Sequence, residues 1–364
     1  MALHKSVHKS GQVEITFNWI YVLIAGVVIL LFFIGIVFKQ KAASEEKLAG
    51  DVVRILESVF TAGGVSEKTK NFIDTSGLAD YTLYFRCQEG AGEFGIVNNP
   101  ARIENTINPV FAPSELQTKK LIIWSLPYSL PYKVTDFLFI TSINTKYLVL
   151  GDGNGFADEF MDATEGFTRE RVTFTDLQNI NPGAIYHLRI IDLEGVISSL
   201  TPIPENLARA RTLTAVSFRG DTVYYYQKNT DNEWEELNSN SLVSIISLGG
   251  ERDAAKYAAI FAADAESYQC NMQKAFRRLR YVTEVYAEKL RELETHYTQQ
   301  PLPAGECLAY INGFTNNLVR SVDLQMAYAK LCETTFASCS ELLRSASDIK
   351  TINNEMRRQC IPLY

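Results

Sequence analysis

The longest uninterrupted apolar stretch of the chain lies close to its N-terminus, at residues 17–38. It reads FNWIYVLIAGVVILLFFIGIVF and contains no charged residue. As a helix rising about 1.5 Å per residue it would reach roughly 33 Å, enough for the ~30 Å hydrocarbon layer of a bilayer. The pattern therefore predicts a transmembrane helix, preceded by a short basic tail at residues 1–16.

Beyond this stretch, residues 39–64 carry apolar side chains at intervals of three and four positions. This spacing is typical of an amphipathic helix, and the glycine pair Gly63-Gly64 is a good C-terminal stop. The helix can be interpreted as a stalk that continues the transmembrane helix. It can equally be interpreted as a helix that packs on its own domain.

Residues 65–250 contain short runs rich in β-branched and aromatic residues, separated by helical patterns. Such runs are typical of strands, and nearly all-apolar ones are typical of strands buried on both faces. The predicted strands are Tyr81–Cys87, Leu121–Leu126, Phe137–Ser142, Tyr147–Leu150, Val172–Thr175, Tyr186–Ile191, Ala215–Phe218 and Val223–Gln227, and the predicted helices are Phe156–Phe167 and Glu205–Arg211. The segment is therefore predicted to be an α/β domain, a mixed sheet with flanking helices.

The pattern changes to helical in residues 251–364, where apolar positions recur at three and four over two long segments. Pro301, Pro303 and Gly305 separate the two segments, and proline ends a helix because it lacks the backbone donor. The pattern predicts a long antiparallel hairpin of two helices. The predicted fold class is thus α/β, with an N-terminal transmembrane helix and a C-terminal helical hairpin.

The chain contains six cysteines, and five of them lie after residue 269. An even number concentrated in one region, without a CxxC pair, favours disulfides outside the cytoplasm over a zinc site, with buried free thiols as the alternative. Cys332 and Cys339 would be about 10 Å apart on one intact helix, too far for a mutual disulfide. Cys270 is expected to face the α/β domain. The candidate disulfide cysteines are Cys87, Cys270, Cys307, Cys332, Cys339 and Cys360.

Charge and motifs exclude several classes of function. The net charge of -7 argues against a general nucleic-acid binder, because phosphate neutralisation needs clustered Lys and Arg. The densest basic cluster, Arg277–Arg280, lies in a helical pattern beside acidic residues and is predicted to be ion-paired or solvated. The chain lacks HExxH, GxSxG and GxxxxGK[ST], and His187 and His296 are predicted to have structural roles. No catalytic residue or cofactor is predicted.

Two glycine-rich segments could bind phosphate. Gly90–Gly95 matches GxGxxG, but no helical pattern follows it, so a hairpin turn is predicted. Gly151–Gly155 stands between a predicted strand and a predicted helix, which makes Gly151, Gly153 and Gly155 candidate cofactor-binding residues. Asp152, Asn154 and Asp158 are candidate oxygen ligands of a metal. A plain turn before a helix is the alternative.

The residues directly before the apolar stretch resemble a known family. Gly11-Gln12-Val13-Glu14-Ile15-Thr16-Phe17 is similar to the N-terminus of archaeal type IV pilin-like proteins, which are single-pass membrane proteins with a class III signal peptide. The resemblance implies processing between Gly11 and Gln12. It also implies that residues 17–38 pack as a pilin-type stalk helix.

These patterns together predict a non-enzymatic structural or partner-binding protein, anchored in the cell membrane by a single span, with a pilin-like subunit as a special case. The expected partners are the lipid bilayer through residues 17–38 and a protein or second copy through the stalk or the hairpin. The short tail and the cysteines favour an exocytoplasmic domain. One alternative is an enzyme or ligand-binding protein with a Rossmann-like site near Gly151–Gly155. Another is a sensor or scaffold that faces the cytoplasm.

Overall fold

The computed structural model describes residues 23–32, 50, 53–54, 57–58, 70–76, 81–181, 187–237, 243–299, 304–314, 317–336 and 339–364. Residues 23–32 form a helix, α1. The strands are β1 (Lys70–Asp74), β2 (Leu83–Gln88), β3 (Ala91–Ile96), β4 (Arg102–Asn105), β5 (Val110–Phe111), β6 (Glu115–Leu116), β7 (Lys120–Ser129), β8 (Lys133–Ser142), β9 (Thr145–Leu150), β10 (Thr168–Val172), β11 (His187–Asp192), β12 (Thr212–Arg219), β13 (Thr222–Lys228), β14 (Trp234–Leu237) and β15 (Val243–Ser244). The other helices are α2 (Phe156–Ala163), α3 (Glu205–Ala208), α4 (Ala254–Phe261), α5 (Ala265–Thr298), α6 (Ala304–Asn312), α7 (Leu318–Thr334) and α8 (Ser340–Met356).

The strands of the described ranges form three sheets rather than the single predicted sheet. The first has the order β1-β7-β8-β5, the second β10-β9-β11-β12-β13-β14 with β15 on β13, and the third β4-β3-β2-β6. In the second sheet β10, β9, β11 and β12 run parallel, and β13 pairs antiparallel with β12 on one side and with β14 on the other. The first sheet lies between the other two, because each of its faces contributes to a different hydrophobic core.

The main core lies between the first and second sheets and surrounds helix α4. Seven of the eight residues of α4 are buried, and only Lys256 reaches the surface in part. A helix that is apolar on all sides is typical of a fully buried helix. Trp124 of β7 contacts Tyr257 and Phe261 of α4 edge to face, with ring centroids 5.0 Å and 6.0 Å away. Helix α4 therefore joins the two sheets into one body.

The second core lies on the opposite face of β7 and β8, against the third sheet. Leu121 and Ile123 of β7 meet Leu83 and Phe94 of the β2–β3 hairpin there. Both faces of β7 and β8 are buried, and the strands contain the apolar runs Leu121–Trp124 and Phe137–Ile140, as the sequence pattern predicted.

Val53, in the predicted stalk, is 2% exposed and belongs to this second core. This placement agrees with the interpretation in which residues 39–64 pack on their own domain. The remainder of that segment, apart from Gly50, Arg54, Glu57 and Ser58, lies outside the described residues.

The predicted fold class is wrong in its transmembrane helix. Within the part of the chain that the structure describes, no helix is both long enough and apolar enough to cross a membrane. Of the predicted span, residues 23–32 are described, and they are helical. The remainder of the span and the basic tail, residues 1–16, lie outside the described residues.

The predicted two-helix hairpin is also wrong, because the described part of residues 251–364 contains the five helices α4 to α8. The first predicted helix is divided at Ala262–Asp264 and the second at Thr335–Cys339, and α6 occupies part of the predicted connection. The second break explains why the cysteine geometry was misjudged. Cys332 and Cys339 do not share an intact helix, and they form a disulfide with their Cα atoms 5.7 Å apart.

All six cysteines are paired, so the prediction of disulfides is confirmed. Cys270 of α5 faces the sheets, as expected, and pairs with Cys87 of β2. Cys307 of α6 pairs with Cys360 beyond α8. One disulfide therefore joins the C-terminal helices to the third sheet, and the other two join segments of the helical region to one another.

The Cys87–Cys270 disulfide is expected to contribute more stability than the Cys332–Cys339 disulfide. The first closes a loop with a sequence separation of 183 and the second one of 7, and closing a longer loop removes more entropy from the unfolded chain. Urea unfolding of the two double-alanine variants should show that C87A/C270A loses about 2–3 kcal/mol more than C332A/C339A. Equal losses would contradict this ranking.

Candidate functional site

The predicted loop Gly151–Gly155 lies at the carboxyl edge of the second sheet, between β9 and β11. Helix α2, which follows β9, packs in the main core on one face of the sheet. Helix α3, which follows β11, packs in a separate core on the opposite face of the sheet. This is the position where open α/β sheets usually bind ligands. Here, however, the side chain of Glu194 lies against Gly151 and that of Leu193 lies against Gly153. The loop is therefore a turn packed on its neighbour.

The candidate metal ligands in this loop are engaged by an arginine. Asp152 lies 2.9 Å from Arg171 and Asp158 lies 2.6 Å from the same guanidinium group. Asp152 also accepts a hydrogen bond from the Gly155 amide, which holds the turn before α2. Asn154 adopts a left-handed conformation with φ 57°. Among the described residues, no group of three His, Cys, Asp or Glu side chains could hold a metal ion.

Substitution of Gly151 by alanine tests whether the turn is packed. Gly151 and Gly220 both have positive φ, 85° and 62°, so alanine strains the backbone at either position by about 1–2 kcal/mol. A Cβ at Gly151 would also lie 2.4 Å from the Glu194 side chain, whereas a Cβ at Gly220 would meet open space. Urea unfolding should therefore show a loss at least about 1 kcal/mol larger for G151A than for G220A. Equal losses would mean that the turn is open.

A polar crevice lies at the opposite, amino edge of the same sheet. It has a volume of about 410 Å³ and opens between the first residues of β9, β11 and β12, the segment Pro113–Leu116, and the turn Ile260–Asp264 that joins α4 to α5. Its volume is within the range typical of small-molecule sites, roughly 300–1,000 Å³.

The strand register explains why this edge is polar. Successive residues of a strand point to opposite faces, so His187, Arg189 and Ile191 of β11 share the face that looks toward α4. His187 stands beside Thr145 of β9 and Thr212 of β12, and Arg189 stands beside Tyr147 and Thr214. The next row on this face is apolar and belongs to the main core. The crevice is thus the polar end of an otherwise apolar sheet face.

Arg189 is the central residue of the crevice wall. Its side chain is buried, with the residue only 7% exposed, and it belongs to no ion pair with an acidic side chain in the described ranges. Nε donates to the carbonyl of Ile260 at 3.2 Å and Nη2 donates to that of Ala262 at 2.8 Å. Burial lowers the pKa of the guanidinium, but arginine remains charged in proteins. A permanent cation is therefore held at the wall by the C-terminal end of α4.

The other ionisable groups of the crevice come from several elements. Arg211 is exposed and His187 is half-buried at the sheet edge, and burial, with Arg211 as a smaller cause, lowers the pKa of His187. His187 is therefore neutral at pH 7. Glu115 comes from β6 and is exposed. Asp264, at the N-terminus of α5, accepts a hydrogen bond from the Ser267 amide at 2.8 Å.

Comparisons with protein-family models, with curated proteins and with solved structures find no match to this chain. The crevice is therefore interpreted from its own geometry.

Arg189 is not among the site residues that the sequence patterns indicate. The signal was present in the β11 sequence HLRIID, where two basic residues with spacing two precede an apolar run. In a strand, that spacing places both basic side chains on one face at one end. His187 was considered only as a member of a catalytic triad, and the alternation with Arg189 was overlooked.

The basic cluster Arg277–Arg280 is ion-paired, as predicted. Glu333 of α7 accepts a hydrogen bond from Arg277 at 2.7 Å and lies 3.4 Å from Arg280. Arg278 donates to Asn108 and to Thr135. The cluster therefore fastens α5 to α7 and to the first sheet.

A second, much smaller cavity contains a buried amine. Lys274 of α5 is 1% exposed, its Nζ donates to Asn271 at 3.1 Å, and a Cβ added to Gly92 would lie 2.4 Å from that nitrogen. The cavity, also lined by Arg86 and Glu93, has a volume of about 20 Å³, room for about one water molecule. Burial, with Arg277 as the smaller cause, lowers the pKa of Lys274 to about 7.

The low pKa of Lys274 makes stability depend on pH. Between pH 7 and pH 10.5 the unfolded chain holds a proton on this amine that the folded chain lacks, so the free energy of unfolding rises with pH across that window. The K274M variant, which keeps the volume and removes the charge, should lose this rise, which amounts to up to about 4 kcal/mol. Urea unfolding at several pH values measures it.

The exposed Lys330 provides the matched control, because K330M leaves the buried amine in place. Stability profiles that run parallel for wild type and K274M from pH 7 to pH 10.5 would contradict the assignment.

Proposed function

We propose that the chain is a binding protein of an oxidising space outside the cytoplasm, and that it holds a small polar ligand in the crevice at the amino edge of the second sheet. The observation that carries the proposal is the buried cation in the crevice wall. Arg189 is anchored by two backbone carbonyls rather than by a carboxylate, and it borders a crevice of about 410 Å³. Among the described residues, these carbonyls engage two of its five N–H donors, and a fixed charge with further donors suits recognition of a polar ligand.

The location outside the cytoplasm is supported by the cysteines. The chain forms three disulfides, two of which join cysteines that are 183 and 53 residues apart, and disulfides persist mainly in oxidising compartments. The non-enzymatic role stays part of the proposal.

The remaining expectations about function stay predictions. Processing between Gly11 and Gln12, and with it the pilin-like interpretation, concerns residues outside the described ranges. Binding of a protein partner or second copy through residues 39–64 or through the C-terminal helices is a prediction of the same kind, as is the lack of nucleic-acid binding. A Rossmann-like site at Gly151–Gly155 receives no support, because Glu194 and Leu193 pack on the turn.

A pair of tryptophan variants tests the crevice. Thr212 is exposed at the rim, so T212W should fill part of the crevice without disturbing the core. Thr222 begins the neighbouring strand at the opposite edge of the sheet, which makes T222W the matched control. A thermal-shift screen with a library of amino acids, carboxylic acids, amines, sugars and neutral amides should find a compound that raises the Tm of wild type and T222W but not of T212W.

Two results would contradict the proposal. One is a screen in which no compound raises the Tm of wild type. The other is a compound that raises the Tm of all three proteins equally, since it would bind elsewhere.

A further inference from the structure

We infer that the ligand of the crevice is a small zwitterion that carries one carboxylate and one amine, the chemical class of the free amino acids. This inference rests on the proposed binding function and names its ligand. It follows from the charges that line the crevice, where the cations come from the edge of the second sheet and the carboxylates come from other elements.

The basic wall is the edge of the second sheet. Arg189 of β11 and Arg211, the residue before β12, both line the crevice there. A guanidinium has five N–H donors, and the hydrogen bonds of Arg189 to Ile260 and Ala262 use two of them in fixed directions. Guanidinium groups match the two oxygens of a carboxylate, so this wall is suited to the carboxylate end of a ligand. Neutral His187 between the arginines adds no charge to this wall at pH 7.

The acidic wall consists of other elements. Glu115 of β6 and Asp264 of the turn between α4 and α5 also line the crevice, and this turn is the one whose carbonyls Arg189 contacts. The hydrogen bond from Ser267 fixes the Asp264 carboxylate in place at 2.8 Å. A ligand ammonium group would find its counter-charge on this side.

The balance of charge selects the ligand class. The crevice presents two arginines and two carboxylates, so a simple carboxylic acid would meet Glu115 and Asp264 as well as its partners, and a simple amine would meet the arginines. A molecule with both charges pairs with both walls and leaves no uncompensated charge on either side. The threonine hydroxyls and the apolar turn residues between the walls provide room for a side chain.

The test begins with a pool of the twenty protein amino acids, added to the full chain and read out by thermal shift. The member that binds best is then compared by isothermal titration with its deaminated acid and its decarboxylated amine. We expect the amino acid to bind at least about tenfold more tightly than either analogue, because each analogue leaves one wall unpaired.

Charge reversal provides the variant test. Arg211 is exposed, so R211E should fold normally and weaken binding of the amino acid at least about tenfold. Arg209 is also exposed, but it lines a different groove, so R209E is the matched control and should bind as wild type does.

Two outcomes would overturn the inference in distinguishable ways. If a sugar, amide, simple acid or simple amine from the library binds wild type but not T212W, while the amino acids do not bind, the crevice is a binding site and the zwitterion is the wrong class. If the amino acids and the whole library leave the Tm of wild type unchanged, the inference and the proposed function both fail.

Discussion

The buried helix α4 is the constraint on which the rest of the structure depends. A helix leaves four amide groups and four carbonyl groups without partners at its ends, and each one left unpaired in the interior costs about 1–3 kcal/mol. Asp253 accepts from the Ala255 amide at the first end. At the other end Arg189 donates to Ile260 and Ala262, and Tyr225 donates to Ala259. The second sheet thus supplies the side chains that allow α4 to be buried.

The same arrangement produces the crevice. Because α4 ends above the amino edge of the sheet and α5 begins there, the polar ends of two helices meet the first residues of three parallel strands. Arg189 is polar because its guanidinium has to donate to the carbonyls at the end of α4. It therefore interrupts the apolar face of the sheet at this edge. The same cation satisfies the helix carbonyls and borders the crevice, where a ligand could contact it. Arg189 therefore links the stability of the fold to the proposed function.

The sequence allowed the elements of the fold to be predicted better than their assembly. The runs of apolar and β-branched residues predicted the strands β7, β8, β9 and β11. The segment that matches GxGxxG was rightly predicted to belong to a hairpin. Short strands such as β5 and β6 were missed, and β10 was placed several residues too late, because its residues 168–172 are mostly polar. The break between α7 and α8 carries no proline, so the periodicity appeared continuous and the Cys332–Cys339 disulfide was excluded. The site was missed because ligand sites of parallel sheets were expected at the carboxyl edge.

A crystal structure of the protein without added ligand tests the central claim most directly. The account predicts that the Arg189 guanidinium lies against the carbonyls of Ile260 and Ala262 and borders a water-filled crevice. A structure in which Arg189 is paired with Asp264 and the crevice is closed would contradict it.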